Sequence, residues 1–109
     1  MSTSEQRRAP RKPVDAGIVA IDTVAEQPLG HLCNLSASGL LLIGGREPRS
    51  EGIYQVRLAL PDASGSIELG LQEQWHEPAA SPGQFWAGYR IIAVAPAHGE
   101  LLERWLRQA

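Results

Sequence analysis

At 109 residues and 43% hydrophobic, the chain can build one small domain around a single core, and its apolar runs are far too short to span a bilayer. Its net charge of −2 divides unevenly: residues 1–12 hold four cations and one acid, a net of +3, and the rest hold six cations and eleven acids, a net of −5. A basic arm on an acidic body points to an anionic partner met locally by the arm, and away from a broad basic surface that tracks a long nucleic acid.

The opening Met1–Arg8 has charges with no apolar stretch behind them, unlike a secretory signal. Cys33 is the one cysteine, which excludes an internal disulfide framework and fits a reducing cytoplasm, the expected location. Residues 1–6 are small and polar and are expected to form a flexible N-terminus. Residues 7–13 form the arm. They carry Arg7, Arg8, Arg11 and Lys12 together with Pro10 and Pro13, which oppose helix and favour extended backbone.

Val14–Val24 reads as a strand, with Val14, Ala16, Ile18 and Ala20 on one face. Leu29–Leu35 is a second strand, and Leu40–Ile43 a third that is wholly apolar and ends at Gly44-Gly45. Between these two lies the polar stretch Asn34-Leu35-Ser36-Ala37-Ser38-Gly39, whose residue types favour a turn. In Ile53–Leu60, Tyr54, Val56, Leu58 and Leu60 alternate with Ile53, Gln55, Arg57 and Ala59. Pro61–Gly65 has turn chemistry, and Ser66–Trp75 places Ile67, Leu69, Leu71 and Trp75 on one face. Glu73 interrupts that face, which predicts an exposed or bulged strand end. Gln84–Val94 is the sixth strand, with Phe85, Ala87, Tyr89, Ile91 and Ala93 in phase. Pro96 suits the first turn of a helix in which Leu101, Leu102, Trp105 and Leu106 face inward. The expected fold is therefore all-β: six antiparallel strands closed as a barrel to remove exposed edges, with one C-terminal α-helix as a cap.

Machinery for catalysis is not apparent. His31, His76 and His98 are scattered and make no metal-ligand pattern with Cys33. Ser36 and Ser38 lack a nucleophile-elbow context, and neither a phosphate loop nor a dinucleotide fingerprint is present. No enzyme activity, metal or cofactor is expected. Two polar pieces remain. Arginines suit phosphate and guanine edges by their planar fork of donors, although a short basic terminus alone reads as a solubilising tail. Asn34 and Ser36, two apart on extended backbone, could point polar ends the same way, with Gly39 shaping the turn; alone, this stretch is a turn.

Taken together, Arg7-x-x-x-Arg11 and Asn34-x-Ser36-x-x-Gly39, some two dozen residues apart and before an apolar strand, resemble the signature of the PilZ domain family. Trp75 at a strand end and the Gly88-Tyr89-Arg90-Ile91 run look like its looser later positions. Gly88-Tyr89-x-Ile91 departs from the usual Gly-Val-x-Phe. The resemblance covers roughly residues 5 to 107 and implies a PilZ-like domain over residues 7–107, of the stand-alone type, that binds the bacterial second messenger cyclic di-GMP. By that resemblance Arg7 and Arg11 would hold phosphates and guanine edges, and Arg8 would add a stacking or salt-bridging contact. Asn34 and Ser36 would contact guanine and phosphate, and Gly39 would shape the loop. Gln6 stands where an arginine tends to accompany an intercalated ligand dimer, which implies one ligand molecule. Ordering of the arm on binding would be the signal, passed to a downstream effector protein. The alternatives are an adaptor of the same fold without ligand binding and a small nucleic-acid-binding barrel. The acidic body counts against the second, and Trp75, Trp86 and Trp105 are expected to serve as core or helix-packing residues.

Overall fold

Strict alternation sets the architecture. In the computed structural model, which describes residues 12–13, 17–60 and 65–107, the strand Ile53–Ala59 buries Tyr54, Val56 and Leu58 and exposes Ile53, Gln55, Arg57 and Ala59, as a half-buried strand must. The elements in order are β1 (Lys12–Pro13), β2 (Val19–Asp22), β3 (Gln27–Leu35), β4 (Gly39–Gly44), β5 (Ile53–Ala59), β6 (Ser66–Pro78), β7 (Phe85–Val94) and α1 (Pro96–Arg107). The order β3-β2-β5-β6-β7-β4 returns from β4 to β3, so six antiparallel strands close a barrel. The two residues of β1 add antiparallel pairing to the far end of β3. Closure satisfies the ladder hydrogen bonds that an open sheet edge would leave bare.

The core is aliphatic. Leu35, Leu40, Leu42, Val56, Leu58, Ile67, Leu69 and Leu71 are fully buried, and Leu102 and Trp105 of α1 join the same cluster. Leu101 and Leu106 pack at its margin, while Glu100, Glu103, Arg104 and Arg107 are exposed. The helix is also tied to β6 through the Glu68 N–H, which donates to His98 Nδ1 at 3.1 Å. None of the described helices is long and apolar enough to cross a membrane.

Bulges account for the departures from simple alternation. Gln74 is the extra residue where the β6–β7 register shifts between Glu73 and Trp75. Glu73 thus keeps its inward phase and is buried at 3% exposure, whereas Trp75 turns outward at 46%. The strand end expected to be exposed or bulged at Glu73 is bulged, and Gln74, Trp75, Glu77 and Pro78 beyond it are exposed; the expected placement of Trp75 on the inner face is corrected by the same bulge. A second shift, at Gly70/Leu71, inserts Ile92 on β7 and turns Ala93 outward, out of phase with Tyr89. Part of the expected Val14–Val24 strand, residues 14–16, and most of the Pro61–Gly65 turn, residues 61–64, lie outside the described residues.

Two carboxylates anchor the connections. Asp22 ends β2 and accepts the Val24 and Ala25 N–H groups, each at 3.0 Å, as well as an Arg46 guanidinium N–H at 3.0 Å. Burial alone would push its carboxyl up, but the Ala25 amide, Arg46 and the Val24 amide outweigh burial and hold it below the usual carboxylate value. Glu73 does the same for the 45–52 loop and is described below.

Candidate functional site

The polar stretch from Asn34 to Gly39 is the hairpin connection between β3 and β4, with Leu35 opposite Leu40 and Asn34 opposite Leu41. Ser36 builds the turn. It is 1% exposed, and its hydroxyl accepts the Ser38 and Gly39 N–H groups, both at 3.2 Å, and lies 3.2 Å from the Gly39 carbonyl to which it donates. Its own N–H donates to the same carbonyl at 2.9 Å. Serine mimics a backbone turn in this way. Gly39 is buried and already belongs to β4, opposite Arg90. The Ile91 N–H donates to the Ser38 carbonyl at 2.9 Å, which fastens the turn to β7.

Beside this turn, on the outer face of the barrel, lies a shallow cavity of about 260 Å³ lined by Asn34, Leu40, Leu41, Gln74, Trp75, Gly88 and Tyr89. One row of cross-strand neighbours explains it: Asn34, Leu41 and Gly88 stand opposite one another on β3, β4 and β7, and Trp75 of β6 completes the row. Gly88 lets the indole lie across the sheet. A Cβ placed there would come within 2.8 Å of Trp75 Cε2 and would overlap Nε1. The cavity therefore has an aromatic wall with an exposed face and a polar corner at Asn34. Along the next row, Arg90 sits opposite both Gly39 and Gln72, is exposed, and donates to Gln72 Oε1 at 3.0 Å.

Of the residues expected at the site, Asn34, Ser36 and Gly39 are brought together here; Arg7, Arg8 and Arg11 lie outside the described residues. The arm's last two residues are placed by backbone pairing, Lys12 opposite Leu35 and Pro13 opposite Asn34. Arg90 and the exposed Trp75 were not singled out by the sequence pattern as ligand contacts. Trp75 could have been found only by anticipating the bulge; Arg90 carried a signal, since an arginine pointing outward beside Gly88 is a cation with no apolar role. Trp86 is half-buried and Trp105 buried, so the core or helix-packing expectation holds for Trp105 and fails for Trp75. No group of three or more metal-ligating side chains occurs among the described residues.

Glu73 and His76 of β6 form a charged cluster with the exposed Glu47 of the 45–52 loop. The Glu73 carboxylate accepts the Glu51 N–H at 2.7 Å and contacts His76 Nδ1 at 2.7 Å, and His76 Nε2 faces Glu47 at 3.2 Å. Burial pushes the Glu73 carboxyl up, but the Glu51 amide and then His76 outweigh it, and the net shift is downward. The hydrogen bond to Glu73 raises His76 against the opposing effect of burial. The linkage has opposite signs. Asp22 and Glu73, depressed on folding, contribute stability above their unfolded values that is lost as pH falls through the folded ones. His76, raised on folding, contributes below its unfolded value and loses that contribution as pH climbs through the folded one. Thermal midpoints measured against pH are therefore expected to peak between about 5 and 6.5, falling on the acid side as the carboxylates protonate and on the alkaline side as His76 deprotonates.

The closed six-stranded barrel with its single C-terminal helix has the PilZ-like fold. Two solved structures share the fold. The Bacillus subtilis inhibitor of motility MotI/DgrA superposes with a TM-score of 0.71 at 16% identity, over 94% of this chain and 50% of that one. Escherichia coli YcgR in complex with c-di-GMP superposes with a TM-score of 0.73 at 16% identity, over 93% of this chain and 44% of that one. The chain thus spans about half the length of each. No family model matches the sequence, and no curated protein matches it.

Proposed function

We propose that the domain is a non-catalytic receptor for cyclic di-GMP, held between the Arg7–Arg11 arm and the Asn34–Gly39 turn beside Trp75. The observation that carries this reading is the pairing of β1 with β3, which delivers the arm's last residues to Asn34 and Leu35. Arg11 precedes Lys12 by one peptide, about 3.8 Å of chain, and Arg7 stands at most roughly 13–14 Å further back along it, which tethers the arm's arginines within that reach of Leu35. In this arrangement guanidinium groups of the arm bind phosphate and guanine edges, and the Trp75 indole offers a guanine a stacking surface. Asn34 supplies an amide for a base edge. Ser36 and Gly39 act by fixing the turn, and Arg8 adds a further cation.

A YcgR structure that contains c-di-GMP on the same fold supports the choice of ligand. The receptor works in the cytoplasm, where closure of the arm over the ligand alters the surface offered to a downstream effector. Arg90 takes part from the rim. Because it is exposed, Arg90→Ala is expected to lower affinity only by about 1 kcal/mol, roughly fivefold, read by calorimetry. The test of the function itself is a calorimetric titration with cyclic di-GMP and with GTP as control. Saturable heat with cyclic di-GMP alone is expected. Absence of heat would leave the adaptor of the same fold as the better reading, and salt-dependent binding to random oligonucleotides would favour a nucleic-acid barrel.

A further inference from the structure

His76 is clamped between two carboxylates, one buried and one exposed. Glu73 on β6 and Glu47 on the loop are both acceptors, so both ring nitrogens must carry protons to satisfy them. A neutral imidazole would turn a lone pair toward one carboxylate, and that contact would fail. The exposed one, Glu47, is the one free to leave. The same cluster grips the loop at other points: Glu51, in the left-handed region at φ 61°, donates its N–H to Glu73, and the Glu73 N–H donates to the Gly52 carbonyl at 2.9 Å. Arg49 is attached through its N–H to the Tyr54 hydroxyl at 2.9 Å.

Glu73, Gln74, Trp75 and His76 are consecutive, and the bulge lies between Glu73 and Trp75. The residue on each side of the bulge segment is thus pinned by the ion pair, and the indole that walls the cavity rides on the backbone between them. We propose that Glu73 and His76 are positioning residues for this cavity: their ion pair fixes the bulge that lays Trp75 across Gly88, and protonation of His76 links that placement to the hold on the 45–52 loop. Among the described residues, the other ionisable groups around the cluster include Arg46 and Arg49 on the loop, both over the Tyr54 ring, together with Tyr54 on β5 and Tyr89 on β7. Arg46 is engaged by Asp22, and burial keeps Tyr89 neutral, which leaves His76 as the group that changes charge near neutrality.

For the ligand this rests on reading the cavity as the cyclic di-GMP site; for the placement of Trp75 it does not. The experiment follows the Trp75 indole N–H resonance and the His76 ring resonances in the unliganded protein from about pH 6 to 9. Both are expected to titrate together, with a midpoint above that of an ordinary histidine. In Glu73→Gln the Trp75 transition is expected to vanish. In Glu47→Gln, a change at an exposed side chain that spares folding, the common midpoint is expected to move down. A Trp75 resonance that stays constant while His76 titrates, or a common midpoint unmoved in Glu47→Gln, would overturn the proposal. Cyclic di-GMP affinity is expected to fall about fivefold across the same midpoint. Coupled resonances with no cyclic di-GMP binding at any pH would sink the ligand reading alone, and binding that is flat across a coupled transition would overturn the link between latch and cavity.

Discussion

Gly88→Ala is expected to weaken cyclic di-GMP binding as much as Trp75→Ala does, while leaving the barrel's stability nearly unchanged. The Cβ introduced at position 88 would meet Trp75 Cδ1 at 3.0 Å and Cε2 at 2.8 Å, closer than carbon atoms pack. What yields is the indole, because it is the half-exposed end of a side chain and the strand backbone is held by pairing on both sides. The cavity then loses its aromatic wall. Stacking of a base on an aromatic side chain is worth about 1–3 kcal/mol, so each single variant should lose roughly five- to 150-fold in affinity. The double variant should lose little more than either, since both remove one interaction. Calorimetry on the three variants, with a thermal melt of each as a folding control, reads the result. Additive losses would mean that Gly88 and Trp75 act separately.

Ser36→Ala is expected to cost stability before it costs affinity. The sequence pattern suggests a hydroxyl offered to the ligand, but the hydroxyl is buried and bonded to the Ser38 and Gly39 amides and the Gly39 carbonyl. Removing it strands the buried Gly39 N–H and the part-buried Ser38 N–H, at about 1–3 kcal/mol. For a domain of this size that corresponds to a fall in melting temperature of about 5–15 °C. Affinity should decline as a consequence, because the turn that presents Asn34 loosens. A variant that melts like the parent and binds poorly would instead make Ser36 a direct contact and nothing more.

These two cases mark what a linear pattern can and cannot carry. The barrel is legible because strands such as Ile53–Ala59 alternate without interruption and the helix shows its apolar stripe at Leu102 and Trp105. The turn at Asn34–Gly39 is legible because its residue types have few other uses between two apolar strands. Period-two reasoning fails at Trp75, since one extra residue in a bulge reverses every side chain beyond it, and Glu73 on the apolar face signals an irregular strand end without saying which residue is inserted. Glu73 is missed for a related reason. A carboxylate on an apolar face reads as an exposed strand end, whereas here a loop distant in sequence brings the Glu51 amide, and β6 itself brings His76, to receive it. Burial of a charge is a property of its partners, and partners two dozen residues away are set by topology. The same holds for Arg90, whose relation to Gly39 exists only once β4 and β7 pair.

The proposed function requires cyclic di-GMP to bind beside the Asn34–Gly39 turn and Trp75. Backbone and indole N–H resonances of the labelled protein, followed through a titration with cyclic di-GMP, address that directly. The expected perturbations cluster at Asn34, the Ser36–Gly39 turn, the Trp75 indole, Gly88 and Arg90, together with signals of the Arg7–Lys12 arm. Perturbations gathered instead on the separate groove lined by Gln55, Gly70, Ala93 and His98, or a spectrum that does not change, would contradict it.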